Sequence, residues 1–103
     1  MIEKITDKLQ KLNTYFRETN QDMTENERLF SRVIKLNEEV GELCEAVLSE
    51  KDKNQRIKEK ITDVDAELAD VLICTLLLAQ DRDKNIWDEV DSKLEKISRK
   101  FNL

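Results

Sequence analysis

Ile2, Ile5, Leu9, Leu12 and Phe16 recur at alternating steps of three and four residues, the spacing that lines one side of an α-helix. They predict a first helix over residues 2–19. Polar residues then take over until Thr24, which forms a capping-box pattern with Glu27; the hydroxyl and the carboxylate satisfy exposed amides at a helix start. A second helix is therefore predicted over 25–51. It carries Leu29, Val33, Leu36, Val40, Leu43 and Val47 on one stripe, with Phe30, Ile34, Cys44 and Leu48 widening it, and is expected to pack against more than one neighbour. Gly41, the only glycine, interrupts it. A mid-helix glycine costs roughly 1 kcal/mol against alanine, so close approach of another helix or a ligand is the expected compensation. Lys51-Asp52-Lys53-Asn54 is the expected break. Ile57, Ile61, Val64, Leu68, Val71, Thr75 and Leu78 resume the pattern in a third helix over 55–81, which turns apolar nearly all round after Asp70. Asn85 and Asp88 mark another cap, and the fourth helix, 86–101, is expected to bury Ile86, Trp87, Val90, Leu94, Ile97 and Phe101.

The absence of proline, the single glycine and the 40% of charged residues disfavour sandwiches and barrels built on tight turns. Regular apolar spacing excludes a disordered chain. The expected architecture is all-α: about four helices in a bundle, one domain spanning 1–103, with a core small enough to need completion by a homodimer or homotetramer. A net charge of −5 repels nucleic acid and anionic membrane surfaces, so neither is expected as a partner. Cys44 and Cys74 lack CxxC spacing, and no histidine exists to complete a zinc site; both are read as buried thiols in a reducing compartment. The N-terminus begins an amphipathic helix with no signal-peptide core, and the apolar run Val71 to Ala79 is too short to span a bilayer. A cytoplasmic location is expected.

Two acidic clusters carry the chemistry, Glu38-Glu39-Val40-Gly41-Glu42 and Glu67-Leu68-Ala69-Asp70. Residues three or four apart share a helix side, so Glu39 converges with Glu42 and Glu67 with Asp70. A helical projection places Glu67 and Asp70 on the inward face with Val71, Cys74 and Leu78, and Glu39 at the edge of its stripe. Carboxylates crowded at a core repel one another unless paired, protonated or bound to a cation. An all-oxygen set suits magnesium, with manganese as a substitute. Di-iron bundles require Glu-x-x-His pairs, which a histidine-free chain cannot supply. Pairing with basic residues is the competing explanation, and Lys35, one turn before Glu39, is its first candidate. Asp81-Arg82-Asp83-Lys84-Asn85 copies the start of an EF-hand loop, but Ile86 and Ser92 stand where that loop needs Gly and Glu.

The segment from Lys35 to Leu43, followed by Glu67-Leu68-Ala69-Asp70-Val71-Leu72-Ile73, resembles the EExxE and ExxD signature of the MazG-like nucleotide pyrophosphohydrolases, an all-α superfamily of NTP pyrophosphatases. The likeness in motif order and separation extends from about Glu27 to Phe101; the first helix adds little to it. It implies hydrolysis of a nucleoside triphosphate, ribo or deoxy, to a monophosphate and pyrophosphate; the role stays open between clearing damaged nucleotides, controlling a deoxynucleotide pool and tuning a stress response. It further implies that Glu39, Glu42, Glu67 and Asp70 hold magnesium and that Glu38 serves the attacking water. Lys93 and Lys100-Phe101 match basic positions placed near the phosphates. Ile97 stands where relatives often carry asparagine, so Lys96 or Arg99 becomes the alternative contact, and Lys35 completes the candidate phosphate ligands.

Two other readings are kept beside the enzyme. A non-catalytic helical assembly module would pair its acidic clusters with Lys and Arg and show no magnesium-dependent stabilisation; a regulatory nucleotide binder would keep the metal site without turnover. Phosphoribosyl-ATP pyrophosphohydrolase is a related activity, disfavoured by the lack of extra phosphoribosyl-binding features.

Overall fold

Thr24 and Glu27 close their capping box in both directions in the computed structural model of the protein: the Glu27 amide donates to Thr24 Oγ1 and the Thr24 amide to Glu27 Oε1, each at 3.1 Å. Residues 1–51, 63–83 and 85–103 are described. They form α1 (Ile2–Thr19), α2 (Glu25–Lys51), α3 (Val64–Asp81) and α4 (Ile86–Lys100), with no strand among them. The fold is all-α. Asp63 is extended (φ −128°) and its side chain accepts from the Ala66 amide at 3.1 Å, so the helix expected over 55–81 starts here at Val64. Ile57 and Ile61 of that expectation lie outside the described residues. Asn85 caps α4 by accepting from the Trp87 and Asp88 amides.

α2 and α3 make the main helix pair, and α1 packs on α3. The pair is antiparallel: Arg32 of α2 meets Asp81 near the end of α3, whereas Glu39, two turns further along α2, meets Glu67 and Asp70 near its start. Leu9 of α1 joins Leu76 and Leu77 of α3 in the central cluster, with Phe16 and Ile86 packed against it. At about 1.5–3 kcal/mol for each large apolar side chain fully buried, this cluster is a small core among the described residues.

The inward face of α2 is not the stripe expected from its apolar spacing. Ala46 and Glu39 are buried, and Leu29, Arg32, Leu36 and Leu43 are half-buried, whereas Val33, Val40 and Val47 are exposed. Arg32, Glu39 and Ala46 recur every seventh residue and alternate with Leu29, Leu36 and Leu43, which is the two-seam spacing of one helix lying along another. The apolar arc of α2 is broader than one partner covers; α3 takes the side carrying Arg32 and Glu39, and Phe30, Ile34 and Leu48 face outward.

α4 departs further from expectation. Of the six residues expected to be buried, only Ile86 is partly covered; Trp87, Val90, Leu94, Ile97 and Phe101 are exposed. No other described helix lays a face along α4 comparable to those of α1 and α2 on α3, so its amphipathic stripe is intact but uncovered. Cys44 is exposed and Cys74 half-buried, which corrects the reading of both as buried thiols. No described helix is long and apolar enough to cross a membrane.

One polar tie fastens the three packed helices. Asp81, whose side chain is 4% exposed, accepts from Arg32 Nε at 2.8 Å and from Arg17 Nη2 at 3.1 Å. Arg32 Nη2 also donates to Asn13 Oδ1 at 3.0 Å, and its guanidinium lies 5.1 Å from the Phe16 ring centroid. Burial alone would raise the Asp81 pKa, but hydrogen bonds from Arg32 and Arg17 and the charge of Arg32 outweigh it, so the carboxyl is held below its ordinary value of 3.8.

Candidate metal centre

The register of α2 against α3 turns Glu39 inward, and the same register brings Glu67 and Asp70 of α3 to it. One carboxylate oxygen from each of Glu39, Glu67 and Asp70 lies within 4.8 Å of the others. Their burial reverses the order expected from helical projection: Glu39 is buried at 7% exposure, Glu67 is half-buried and Asp70 is exposed. The expected α2 stripe places Glu39 at its edge because it gives Val33, Val40 and Val47, which are exposed, the same weight as Leu29, Leu36 and Leu43.

Lys35 pairs with this group from one turn earlier, its Nζ 3.2 Å from Glu39 Oε1 and 3.6 Å from Glu38 Oε2. The hydrogen bond to Glu39, then the charges of Glu39 and Glu38, push the Lys35 pKa above its ordinary 10.5. Glu39 Oε2 is buried and has no hydrogen-bond partner. A desolvated carboxylate oxygen left unpaired is costly, and here it belongs to a residue that supplies one of three clustered carboxylate oxygens. These residues therefore fit a hard divalent cation such as magnesium or manganese.

The other candidate residues are placed differently. Glu42 is exposed and stands outside the three-carboxylate group. Glu38 is exposed and faces Lys35. Lys93, Lys96 and Lys100 are exposed on α4, away from the pocket lined by Glu39 and Asp70; Lys100 Nζ instead lies 5.9 Å from the Phe101 ring. Asp81, read from sequence as part of a loop resembling an EF-hand, holds two arginines.

Two of the three carboxylates, Glu39 and Asp70, line a pocket of about 440 Å³ between α1, α2 and α3. Cys74 is in its wall, and burial, followed by the negative charge of Glu39, raises its pKa; the thiol stays protonated at neutral pH and acts as apolar lining. A larger, more open groove of about 940 Å³, between α1 and the turn after α3, contains none of the candidate carboxylates. Reading the sequence missed Arg32 and Phe16, which also line the smaller pocket. The available signal was spacing: Arg32 lies seven residues before Glu39 and Ala46 seven after, placing both charges on one inward seam.

A family model described as the MazG nucleotide pyrophosphohydrolase domain matches residues 29–102. Neither curated proteins nor solved structures yield a match to the chain.

Proposed function

The chain belongs to the family of MazG nucleotide pyrophosphohydrolase domains, and from that membership and the convergence of three carboxylates we propose that it is a magnesium-dependent nucleoside triphosphate pyrophosphohydrolase. It would convert an NTP or dNTP and water to the monophosphate and pyrophosphate. The observation that carries this reading is the meeting of Glu39, Glu67 and Asp70 within 4.8 Å, with a buried Glu39 oxygen unpartnered.

Glu39, Glu67 and Asp70 would hold the cation, with Glu42, one turn beyond Glu39, as a further carboxylate available to it. A magnesium ion held there would supply charge neutralisation between the triphosphate and the carboxylates and polarisation of a phosphate oxygen. Glu38 sits outside the three-carboxylate group, close enough to Lys35 for an ion pair, and takes the proton of the attacking water as its oxygen bonds to the α phosphorus. The bond from that phosphorus to the bridging oxygen breaks, and pyrophosphate leaves with the bond's electron pair. Lys35, exposed beside Glu39 and Glu38, would contact a phosphate oxygen.

The exposed faces of α2 and α4 support a homodimer or homotetramer. Lys93, Lys96 and Lys100 reach phosphates in such an assembly from the α4 of a second copy. The activity is tested with ribo- and deoxyribonucleoside triphosphates and magnesium, monitoring monophosphate and pyrophosphate. Glu39→Gln and Asp70→Asn are each expected to lower kcat/KM by at least about 100-fold, the size of a loss of several kcal/mol in charge stabilisation. No pyrophosphate from any nucleotide, or full activity in both variants, overturns the proposal.

A further inference from the structure

The pocket beside the carboxylates has two unlike ends. Glu39, Asp70 and Lys35 form one; Phe16, Ser31 and Arg32 form the other, with an apolar wall between them that includes Leu12, Ile73 and Leu77. Arg32 lies seven residues before Glu39 on the same face of α2, about 10 Å along the helix. That is the reach from the α phosphate of a nucleotide across its sugar to its base. The wall carrying Leu12 and Phe16 comes from α1, which precedes the family match at residue 29. The far end is therefore built partly from sequence that the family match does not include.

Arg32 is fixed in three ways: to Asp81 at 2.8 Å, to Asn13 at 3.0 Å and over the Phe16 ring. A guanidinium carries five N–H donors, and these bonds engage Nε and one hydrogen of Nη2, leaving Nη1 to donate. Asp81 balances its charge, so it presents the pocket with oriented donors rather than a bare cation. A second observation points the same way. Arg28 Nε is buried with no hydrogen-bond partner, and Arg28 borders a recess of about 50 Å³ that shares Phe16, Asn20, Ser31 and Arg32 with the pocket. This end has more donors than acceptors, with an apolar surface beside them.

We propose that the pocket receives the nucleoside part of the substrate, with its base against Phe16 and Arg32 donating to a ring carbonyl oxygen, so that adenine, the common base without one, is disfavoured. This rests on the triphosphate lying at the carboxylates. Arg32 is the specificity-determining residue, and Asp81 and Asn13 are positioning residues that act through it.

The test pairs kinetics with binding, using the full chain. For turnover, kcat/KM is measured with magnesium for UTP, CTP, GTP and ATP in the wild type, Arg32→Lys and Phe16→Leu. Arg32→Lys keeps a cation opposite Asp81, so the fold is retained, but removes the planar fork; thermal melting checks this. In the wild type ATP is expected to be at least about tenfold poorer than the best of the others, the effect of leaving a buried donor unpaired. In Arg32→Lys that gap closes, mainly through KM. For binding without metal, UMP, AMP and ribose 5-phosphate are titrated while the Arg32 Nε–H and Phe16 amide signals are followed by NMR. UMP is expected to shift both, and ribose 5-phosphate neither.

Equal use of ATP and the other nucleotides, or a uniform loss for all four in Arg32→Lys, overturns the proposal; the uniform loss assigns Arg32 to the phosphates. Shifts with UMP but no hydrolysis of any triphosphate leave the pocket assignment standing and overturn the activity. Hydrolysis without base preference and without shifts does the reverse.

Discussion

Lys35 Nζ lies 3.2 Å from Glu39 Oε1, at the group where a divalent cation is proposed to bind. An exposed ammonium and a buried carboxylate thus hold each other in the metal-free protein. The pair is replaceable, because Lys35 can return to water while Glu39 cannot. Lys35→Met is expected to lower the melting temperature of the metal-free protein, and magnesium is expected to restore more stability to the variant than to the wild type. Thermal melts with and without magnesium check this. An equal magnesium-induced rise in both proteins shows that the lysine and the cation do not exchange.

Asp81 imposes an acid limit on stability. Its folded pKa is held below the ordinary 3.8 by Arg32 and Arg17, so the folded state favours the ionised form. The stabilisation is fully present above the ordinary value and is lost as pH falls from about 4 through the lowered folded value. Asp81→Asn is expected to remove this part of the acid dependence. At neutral pH the same variant leaves Arg32 without its charge partner, and a loss of about 3 kcal/mol is expected in urea unfolding, the low end for breaking a buried pair. Unchanged acid dependence in Asp81→Asn assigns the acid limit to other carboxylates.

Helix positions and caps were legible because they are local. The hydroxyl of Thr24, the carboxylate of Glu27 and the amide of Asn85 act within their own first turns, where spacing alone determines their partners. That the two acidic clusters meet was legible in part, because residues three or four apart share a side: Glu39, Glu67 and Asp70 converge, whereas Glu42 stays outside. Which of them is buried was not. That depends on the face of α2 that α3 covers, and the broad apolar arc allowed several; the selected seam includes Arg32 and Glu39, which an apolar count ignores. Arg32 and Asp81 are 49 residues apart, and no local pattern joins them.

Gly41 lacks one of its two expected compensations, the close approach of another described helix. A methyl group added at its Cα position meets no atom of the described residues within 4 Å, so no described helix approaches it. Gly41→Ala is therefore expected to stabilise the chain by about 1 kcal/mol through helix propensity, as measured by urea unfolding, with activity retained. A destabilised or inactive Gly41→Ala protein shows that a second copy or the nucleotide approaches α2 at this residue.

Trp87 is the only tryptophan and is 43% exposed on α4, in a stripe with Val90, Leu94, Ile97 and Phe101 that no described helix of the chain covers. Contiguous exposed apolar surface of this kind marks an interface, and the outer face of α2 offers a matching one through Phe30, Ile34 and Leu48. Self-association is expected to place Trp87 in an apolar setting, so its emission shifts to the blue as the protein is concentrated and to the red on dilution. Leu94→Glu is expected to give a monomer in sedimentation with permanently red-shifted emission. If α4 of one copy serves the carboxylates of another, mixing Glu39→Gln chains with Lys93→Met chains restores activity that neither variant has alone, because some mixed assemblies contain one intact site. A wild-type protein that sediments as a monomer at micromolar concentration with full activity overturns the shared site, and α4 must then reach the phosphates by moving within its own chain.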